Sequence, residues 1–394
     1  MSDKDKTTKV PPVVWYLGIV SFFNDVASEM LYPVMPIFLT QVLGAPVFVV
    51  GIIEGVAEGA ASLFKTYFGY LSDRLQKRKP FMVAGYGASA IAKLIIAFAY
   101  AWPLVLLGRI VDRFGKGLRS SARDALLNAV STPENRGFIF GLHRTMDTLG
   151  AVVGPVIALV LLYQFNNDIR TILYVASIPA FASLLFFFYI REPVATKPKV
   201  QLHLFASIKS FPRAYKLFLI GSALFALGNS SDAFLILRAQ DLGMTIAMTI
   251  GAYVLYNFVY ALVATPAGII SDRIGQKKVY ITGVIVFIFV YLGFALTHES
   301  HFIWPLFAIY ACYIALTDGV GKALVGSIVA KDNIATGYGV LGSVTSLCTL
   351  CASVIGGALW TFVAPEATFL FGVGCAVLSL FFFVAMSIPE RNAP

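Results

Sequence analysis

Charged residues recur at steps of three and four along the segment from Gly108 to Val130, a spacing that places them on one face of a helix. They are Arg109, Asp112, Arg113, Lys116, Arg119 and Arg123, here called the cationic stripe. Guanidinium and ammonium groups donate hydrogen bonds to carboxylate and phosphate oxygens, so the stripe is suited to binding an anion. The neighbouring segments are apolar, and a charge exposed at mid-membrane costs ~3 kcal/mol. We therefore predict that the stripe lines a polar cavity and that four of its cations bind solute: Arg109, Arg113, Lys116 and Arg119.

Two further groups of side chains are suited to taking up a proton. Asp25 and Glu29 are four residues apart in the first apolar segment; His143 and Asp147 repeat this spacing in the fifth, with Arg144 beside them. Burial disfavours an ionised carboxylate, so such acids can titrate near neutral pH. We predict solute binding at Arg144 and proton coupling at Asp25, Glu29, Asp112, His143 and Asp147.

Each group also has a purely structural alternative. Asp25 and Glu29 would then be permanently paired with the cations of the stripe, and His143 and Asp147 would tie their helix to a neighbour. Two ligands without a third are weak evidence for a metal, so we assign no metal here.

The C-terminal half of the chain is poorer in charge. Away from their ends, its apolar segments hold Asp232, Asp318 and Lys322, together with tyrosines and asparagines that offer neutral hydrogen bonds. We place its solute contacts at Asp232, Asp318, Lys322 and Tyr256. Most of the chemistry is expected in the N-terminal half.

The composition indicates the class of protein that holds these side chains. Of 394 residues, 58% are hydrophobic and 13% charged, whereas charged residues reach about 25% in globular domains. This predicts a polytopic membrane protein. The net charge of +9 does not indicate nucleic-acid binding, because most of the Lys and Arg residues lie in short loops rather than in one basic domain. The four cysteines fall in apolar segments, which favours small buried side chains over a disulfide or a metal site.

Apolar stretches of about 20 residues, the length that crosses a bilayer core, occur repeatedly along the chain. They predict an all-α membrane protein with twelve transmembrane helices, at 13–39, 46–71, 80–101, 103–129, 137–163, 169–190, 214–238, 245–271, 278–298, 302–330, 335–362 and 367–388. Lys and Arg crowd the N-terminus and the loops after the second, sixth and eighth spans, so we expect both termini in the cytoplasm. The charged N-terminus and the long apolar run after it do not match a cleavable signal peptide. We expect the plasma membrane, as in the inner membrane of bacteria.

The longest polar interruption divides the spans into six and six. We therefore predict two six-helix bundles, residues 1–190 and 214–394, joined by a cytoplasmic linker at 191–213. The sequence GYLSDR at 69–74 returns as GIISDR at 268–273, and D-x-x-x-K in the fourth span returns in the tenth. Two repeated motifs in the same order indicate that the halves are parallel structural repeats, an arrangement known in secondary transporters.

Several motifs resemble those of the major facilitator superfamily. GYLSDRLQKRK and GIISDRIGQKK resemble its loop motif G-x-L-x-D-R-x-G-R-[RK]-[RK], with Gln76 in place of the usual Gly in the first. A motif of its fourth helix resembles Arg109, Asp112, Gly115 and Gly117. Its antiporters carry a fifth-helix motif that is similar to Gly141, Gly150, Gly154 and Pro155. Tyr32-Pro33-x-x-Pro36 is similar to a motif of its twelve-span drug/proton antiporter group.

The resemblance implies alternating access, with the first, fourth, seventh and tenth helices lining the path. It also implies a cytoplasmic gate, in which the loop-motif Asp caps a facing helix and pairs with Arg when that side is closed. Attraction of a carboxylate to a helix N-terminus is worth ~1 kcal/mol, enough to bias a conformational equilibrium. We therefore predict gating by Asp73, Arg74, Arg123, Asp272 and Arg273.

These observations predict a proton-coupled secondary active transporter for a small anionic organic solute, such as a carboxylate or a metal chelate. The alternative is a multidrug exporter of amphiphilic cations, for which Asp25 and Glu29 would serve. A membrane receptor or an intramembrane enzyme fits less well, because the chain has no soluble signalling region and only His143 with Asp147 suggests a reactive pair. No nucleotide-binding motif occurs, and we expect a monomer without a cofactor whose partners are the solute, protons and lipid.

Overall fold

The structure is a computed structural model that describes residues 10–75, 77–131, 136–190, 211–329 and 334–386. Within these ranges the chain forms long helical segments that each overlap one predicted span: α1 Pro12–Leu31, α2 Val47–Leu75, α3 Lys79–Ala97, α4 Trp102–Ala129, α5 Arg136–Gln164, α6 Ile169–Leu185, α7 Arg213–Asp241, α8 Ile246–Ile274, α9 Gln276–Leu296, α10 Ile303–Ile328, α11 Ile334–Phe362 and α12 Pro365–Ala385. The segment α7 consists of two helices, Arg213–Gly228 and Ala233–Asp241. The predicted all-α class is confirmed.

Nine of the helices in the described ranges are long and apolar enough to cross a membrane. The long helices outside that set are α1, α2 and α4, which carry Asp25, Glu54 and the cationic stripe respectively. A charged helix crosses a membrane at acceptable cost only where its charges face other protein or a polar cavity. Two of these three helices, α1 and α4, carry residues that the sequence predicts to bind solute or protons.

Local sequence explains where the helices begin. Proline occupies the first turn of α1, α3, α4 and α12, where its missing N–H costs nothing. Side chains cap two others: Asp168 accepts from the backbone N–H of Arg170 at 3.0 Å, and Thr245 accepts from that of Met248 at 3.2 Å. Between α8 and α9, Gly275 has φ +99°, a conformation that side chains disfavour, which explains the glycine of the second loop motif.

The described residues separate into two compact units. Unit 1 takes those within Met1–Phe38 and Ala60–Val200, and unit 2 those within Leu39–Gly59 and Gln201–Pro394. The first part of α2 thus belongs with the C-terminal half of the chain, although its sequence position is N-terminal. The predicted linker, residues 191–213, lies outside the described residues up to position 210, and the predicted division into bundles stays a prediction.

Glycines let the helices of unit 1 pack backbone to backbone. A Cβ at Gly150 of α5 would lie 2.6 Å from the carbonyl oxygen of Phe22 in α1, and one at Gly85 of α3 would lie 2.6 Å from that of Gly115 in α4. Between helices in a membrane, close van der Waals packing replaces the hydrophobic effect as the source of stability. The glycines of the fourth- and fifth-helix motifs therefore have a packing role that holds α3 on α4 and α1 on α5.

Unit 2 combines a glycine contact with an aromatic core. A glycine of α2 approaches α11 closely, because a Cβ at Gly55 would lie 2.8 Å from the carbonyl oxygen of Leu350. Rings from α7, α9 and α12 also pack together: Phe287 lies 4.9 Å from Phe225 and 3.9 Å from Tyr291 between ring centroids, and Tyr291 lies 5.5 Å from Phe369. Such pairs contribute roughly 0.5–1.5 kcal/mol each beyond their buried area.

The same kind of helix-capping contact occurs inside each of the two units. The Nζ of Lys79, at the start of α3, donates to the carbonyl oxygen of Ile190 at 2.8 Å. In unit 2, the Nζ of Lys277, at the start of α9, donates to Val384 O at 2.9 Å and to Met386 O at 2.5 Å. Each lysine comes from the basic cluster of a loop motif and satisfies carbonyls at the end of the last helix of its half. The sequence repeat is thus also a repeat of contacts.

Candidate functional site

The cationic stripe lies on α4 and is largely buried. The exposed fractions of Arg109, Arg113 and Arg119 are 8%, 8% and 7%, whereas Lys116 is exposed and Arg123 half-buried. The helix starts at Trp102 with a proline in its first turn and is continuous to Ala129, so its full length keeps the spacing that the sequence predicts. Three guanidinium groups are therefore held inside unit 1 on neighbouring turns of one helix.

Arg119 is held by two side chains of α3. One of its guanidinium nitrogens, Nη1, donates to the hydroxyl of Ser89, and its Cζ lies 4.7 Å from the centroid of the Tyr86 ring. Both partners are neutral, and no carboxylate among the described residues lies within 4.0 Å of Arg119. The hydroxyl of Tyr86, which is 1% exposed, has no hydrogen-bond partner in the described part of the chain. This arrangement leaves a buried positive charge and a phenolic hydroxyl for a polar partner.

Asp112 pairs with a residue that sequence reasoning missed. Its Oδ1 lies 3.6 Å from the Nζ of Lys93, and the two side chains are 14% and 3% exposed. The sequence did contain a signal, since Lys93 is the one charged residue between Pro80 and Ala101. A lysine inside such an apolar span requires a partner or a polar cavity.

The predicted proton sites on α1 and α5 form a connected polar cluster. The Asp25 and Asp147 carboxyl groups are hydrogen-bond partners, and the Ser21 hydroxyl donates to Asp147 Oδ1 at 2.6 Å. Arg144, which is mostly exposed, pairs with Asp147 Oδ2 at 3.3 Å, and Arg123 Nη1 lies 3.4 Å from the Ser21 oxygen. The glycine contacts between α1 and α5 bring these carboxyl groups together.

Glu29 and His143 flank this cluster. The Cβ of Glu29 lies 2.9 Å from the position that a Cβ at Gly154 would take, so Glu29 sits at the crossing of α1 and α5. His143 is buried, and its Nε2 has no hydrogen-bond partner among the described residues. In the same part of the chain, no group of three His, Cys, Asp or Glu side chains is arranged to hold a metal ion.

In unit 2, the polar group at the break in α7 is a carboxylate with neutral partners, in contrast to the buried cations of the stripe. Asp232 ends the non-helical stretch and accepts from the Tyr310 hydroxyl at 2.6 Å; Asn229, which begins it, donates to the Tyr313 hydroxyl at 2.8 Å. The Ser231 hydroxyl lies 3.5 Å from the Glu54 carboxylate of α2. We call these side chains, with Tyr256, the Asp232 cluster. Asp232 makes no ion pair in the described part of the chain.

The tyrosine rings of the Asp232 cluster lie side by side. The ring centroid of Tyr310 is 5.7 Å from that of Tyr256 and 5.2 Å from that of Tyr313. Broken helices in transporters occur where irregular backbone lines a binding cavity. Tyr310 and Tyr313 were not predicted; their spacing of three residues on an apolar span, with a polar atom on each ring, was the available signal.

The remaining predicted site residues lie apart from these groups. Asp318 and Lys322 pair with each other at 2.8 Å on an exposed face of α10. Asp272 and Arg273 are exposed at the end of α8. The side chains of Asp73 and Arg74 lie outside the described residues, so their predicted gating contact with Arg123 is not tested; Arg123 pairs with Asp124 at 3.0 Å.

Comparison with known proteins agrees with the helical architecture. The family model described as Major Facilitator Superfamily matches residues 17–252 and 218–394. An uncharacterized MFS-type transporter of Methanocaldococcus jannaschii is 36% identical over 373 residues, which cover 93% of this chain and 92% of the relative. Multidrug resistance protein MdtG of Salmonella arizonae is 26% identical over 69% of each chain. The crystal structure of the D323A mutant of the nucleoside transporter NupG matches 95% of this chain and 99% of its own with a TM-score of 0.79, at 17% identity. The chain thus belongs to the Major Facilitator Superfamily and is an integral membrane transporter rather than an enzyme.

Proposed function

We propose that this protein is a proton-coupled secondary active transporter of a small anionic organic solute, a carboxylate or a metal chelate, working by alternating access. One observation carries the proposal: Arg119 is a buried cation whose partners, Ser89 and Tyr86, are both neutral. Asp25 and Asp112 act on it electrostatically, but no carboxylate of the described residues is within ion-pair distance. A buried charge without a close partner is costly, and an anionic group of the solute supplies that partner. Arg109 and Arg113 extend the positive surface along α4.

Proton coupling is assigned to the pair formed by Asp25 and Asp147. Two ionised carboxylates within hydrogen-bonding distance repel each other, so a proton shared between them relieves the repulsion. Ser21 and Arg144 hold Asp147 in place. Uptake and release of that proton then couple the proton gradient to the charge near the stripe.

Export of an organic cation is the second candidate, and the Asp232 cluster favours it. Asp232 has a hydroxyl partner but no cationic one among the described residues, and Glu54 and Glu58 act on it electrostatically. Tyrosine rings and a carboxylate together recognise alkylammonium groups. A relative that is named as a multidrug resistance protein is consistent with such a solute.

Location and gating belong to the same proposal. The protein would lie in the inner membrane of a bacterium as a monomer, with both termini in the cytoplasm, as the distribution of Lys and Arg predicts. Asp272 and Arg273, which are exposed, and the corresponding pair of the first loop motif would form the cytoplasmic gate.

Solute counterflow in proteoliposomes tests the proposal. Vesicles preloaded with citrate, benzoate or tetraphenylphosphonium are diluted into the labelled compound, so that exchange needs no gradient. We expect exchange of an anion, and, when the vesicles are instead given a gradient of that anion, a change of internal pH that depends on its net flux. Exchange of the phosphonium cation alone contradicts the anion proposal and supports the second candidate.

A further inference from the structure

Lys93 is a buried lysine on a helix that otherwise carries its charges only at its start. It is 2% exposed, and its Nζ lies 3.6 Å from Asp112 Oδ1 and 3.5 Å from the carbonyl oxygen of Ser89. The close glycine contact of α3 with α4 brings it there, because Gly85 and Gly115 let the two backbones meet. Lys93 lies outside the cationic stripe and outside every site predicted from the sequence.

The pairing changes the charge balance of α4. Asp112 is the one acid of the six stripe residues, and on an isolated helix it would pair with Arg109, three residues before it, or Lys116, four residues after it. In the structure its ion-pair partner at 3.6 Å comes from α3. Lys93 is thus the close ion-pair partner of the stripe's own acid, on which Arg109, Arg113 and Arg119 act electrostatically as well.

Arg119 is the stripe cation whose positive charge remains available to a solute. It lies seven residues from Asp112, two turns along α4 and roughly 10 Å in rise. Arg119 and Asp112 act on each other electrostatically, and both act on Lys93. Since the contacts of Arg119 are the Ser89 hydroxyl and the Tyr86 ring, a carboxylate nearby that lacked its own cation would oppose the binding of an anion.

We propose that Lys93 determines the charge specificity of this transporter: it neutralises Asp112 from α3 and so leaves the positive charge of Arg119 available to an anionic solute. Lys93 acts through Asp112 and is a positioning residue, not a solute ligand. The inference rests on the proposed function, because it presupposes an anion at the stripe.

A double-mutant cycle tests it with the full-length protein in detergent. The variants are Lys93→Met, Asp112→Asn and both together, with Lys93→Arg as the charge-preserving control. The probes are benzoate, citrate and inorganic phosphate, and the measurement is the anion concentration that gives half-maximal thermal stabilisation. We expect this concentration to rise at least tenfold in Lys93→Met and to fall at least threefold in Asp112→Asn. The double variant and the arginine control should stay within threefold of the wild type.

Any other result of the double-mutant cycle contradicts the proposed role of Lys93. A folded Lys93→Met protein with unchanged affinity shows that Lys93 is only structural. A double variant as weak as Lys93→Met shows that Lys93 touches the anion itself, which also overturns the positioning role. If Lys93→Met does not fold, Asp112→Asn decides alone, and an affinity that is unchanged or lower refutes the proposal.

Failure of the anion proposal itself would give different results from failure of the role of Lys93. If none of the three anions stabilises the wild type, or if stabilisation persists undiminished in Arg119→Gln, the anion proposal itself fails. If the wild type responds and Arg119→Gln does not, while Lys93→Met binds normally, only the role of Lys93 fails.

Discussion

The cationic stripe and the Asp232 cluster solve the problem of polar groups inside a membrane protein in different ways. The stripe is on a continuous helix, and the guanidinium group of Arg119 is held by neutral side chains of the neighbouring α3. The Asp232 cluster lies at a break in α7, and there a carboxylate is surrounded by tyrosines. One region offers positive charge and the other negative charge with aromatic rings. Under the proposed function, the charge of the solute decides which of the two regions it contacts.

The largest expected effect separates coupling from binding. Asp25→Asn should abolish accumulation of solute against its gradient, because the carboxyl pair can no longer gain and lose a proton, while exchange between equal concentrations persists. Uphill uptake and counterflow in the same proteoliposomes measure the two activities. Asp147→Asn should behave alike, since it removes the other half of the pair. Normal accumulation in the double variant would move the proton site away from α1 and α5.

The next largest expected effect is a loss of anion affinity when a cation of the stripe is removed. Truncating one partner of a buried charge pair costs about 2–5 kcal/mol, so Arg119→Gln should weaken an anionic solute at least roughly thirtyfold. The matched control is Arg170→Gln, which removes a guanidinium that contacts Ala97 O and the Phe38 ring, away from the stripe. Thermal stabilisation by citrate and benzoate measures both. Equal losses in the two variants would mean that net charge, and not the stripe, attracts the anion.

A roughly tenfold effect at the Asp232 cluster would test whether the regions are chemically independent. Asp232→Asn should leave anion affinity within about threefold of the wild type, whereas binding of tetraphenylphosphonium, where it occurs, should fall about tenfold or more. Tyr310→Phe, which removes one hydrogen bond of about 1 kcal/mol, should have a smaller effect in the same direction. Loss of anion binding in Asp232→Asn would contradict the division of labour between the regions.

The smallest expected effect is a loss of thermal stability when the capping lysine of either unit is replaced. Lys79→Met and Lys277→Met each remove hydrogen bonds to carbonyls at a helix end, which are worth about 1 kcal/mol each. Thermal unfolding in detergent should show small losses of similar size in the two variants, with solute affinity unchanged. A loss confined to one variant would mean that the sequence repeat is not a repeat of energetics.

Much of the fold was predictable because the signals are local. Apolar length gave the helices, prolines and glycines gave several of their ends, and the step of three to four gave the buried face of α4. The spacing of Asp25 and Glu29 put both residues on one face of α1, and both lie at the crossing with α5; their role in proton coupling stays a prediction. The grouping of residues 39–59 with the C-terminal half was not predictable from their position, because it depends on the contact of Gly55 with α11.

The sequence by itself determined the membrane class, the helices and the family, since each depends on residue type and spacing along one chain. Only the tertiary structure decided which charges meet. Asp112 has Arg109, Arg113 and Lys116 within about one turn of its own helix, yet its close ion pair is with Lys93 on α3. Arg119 meets Ser89 and Tyr86 on that same helix. The physical reason is that the energy of a buried charge is fixed by partners within a few ångströms, and those partners are brought there by packing between helices, which no spacing within one helix specifies.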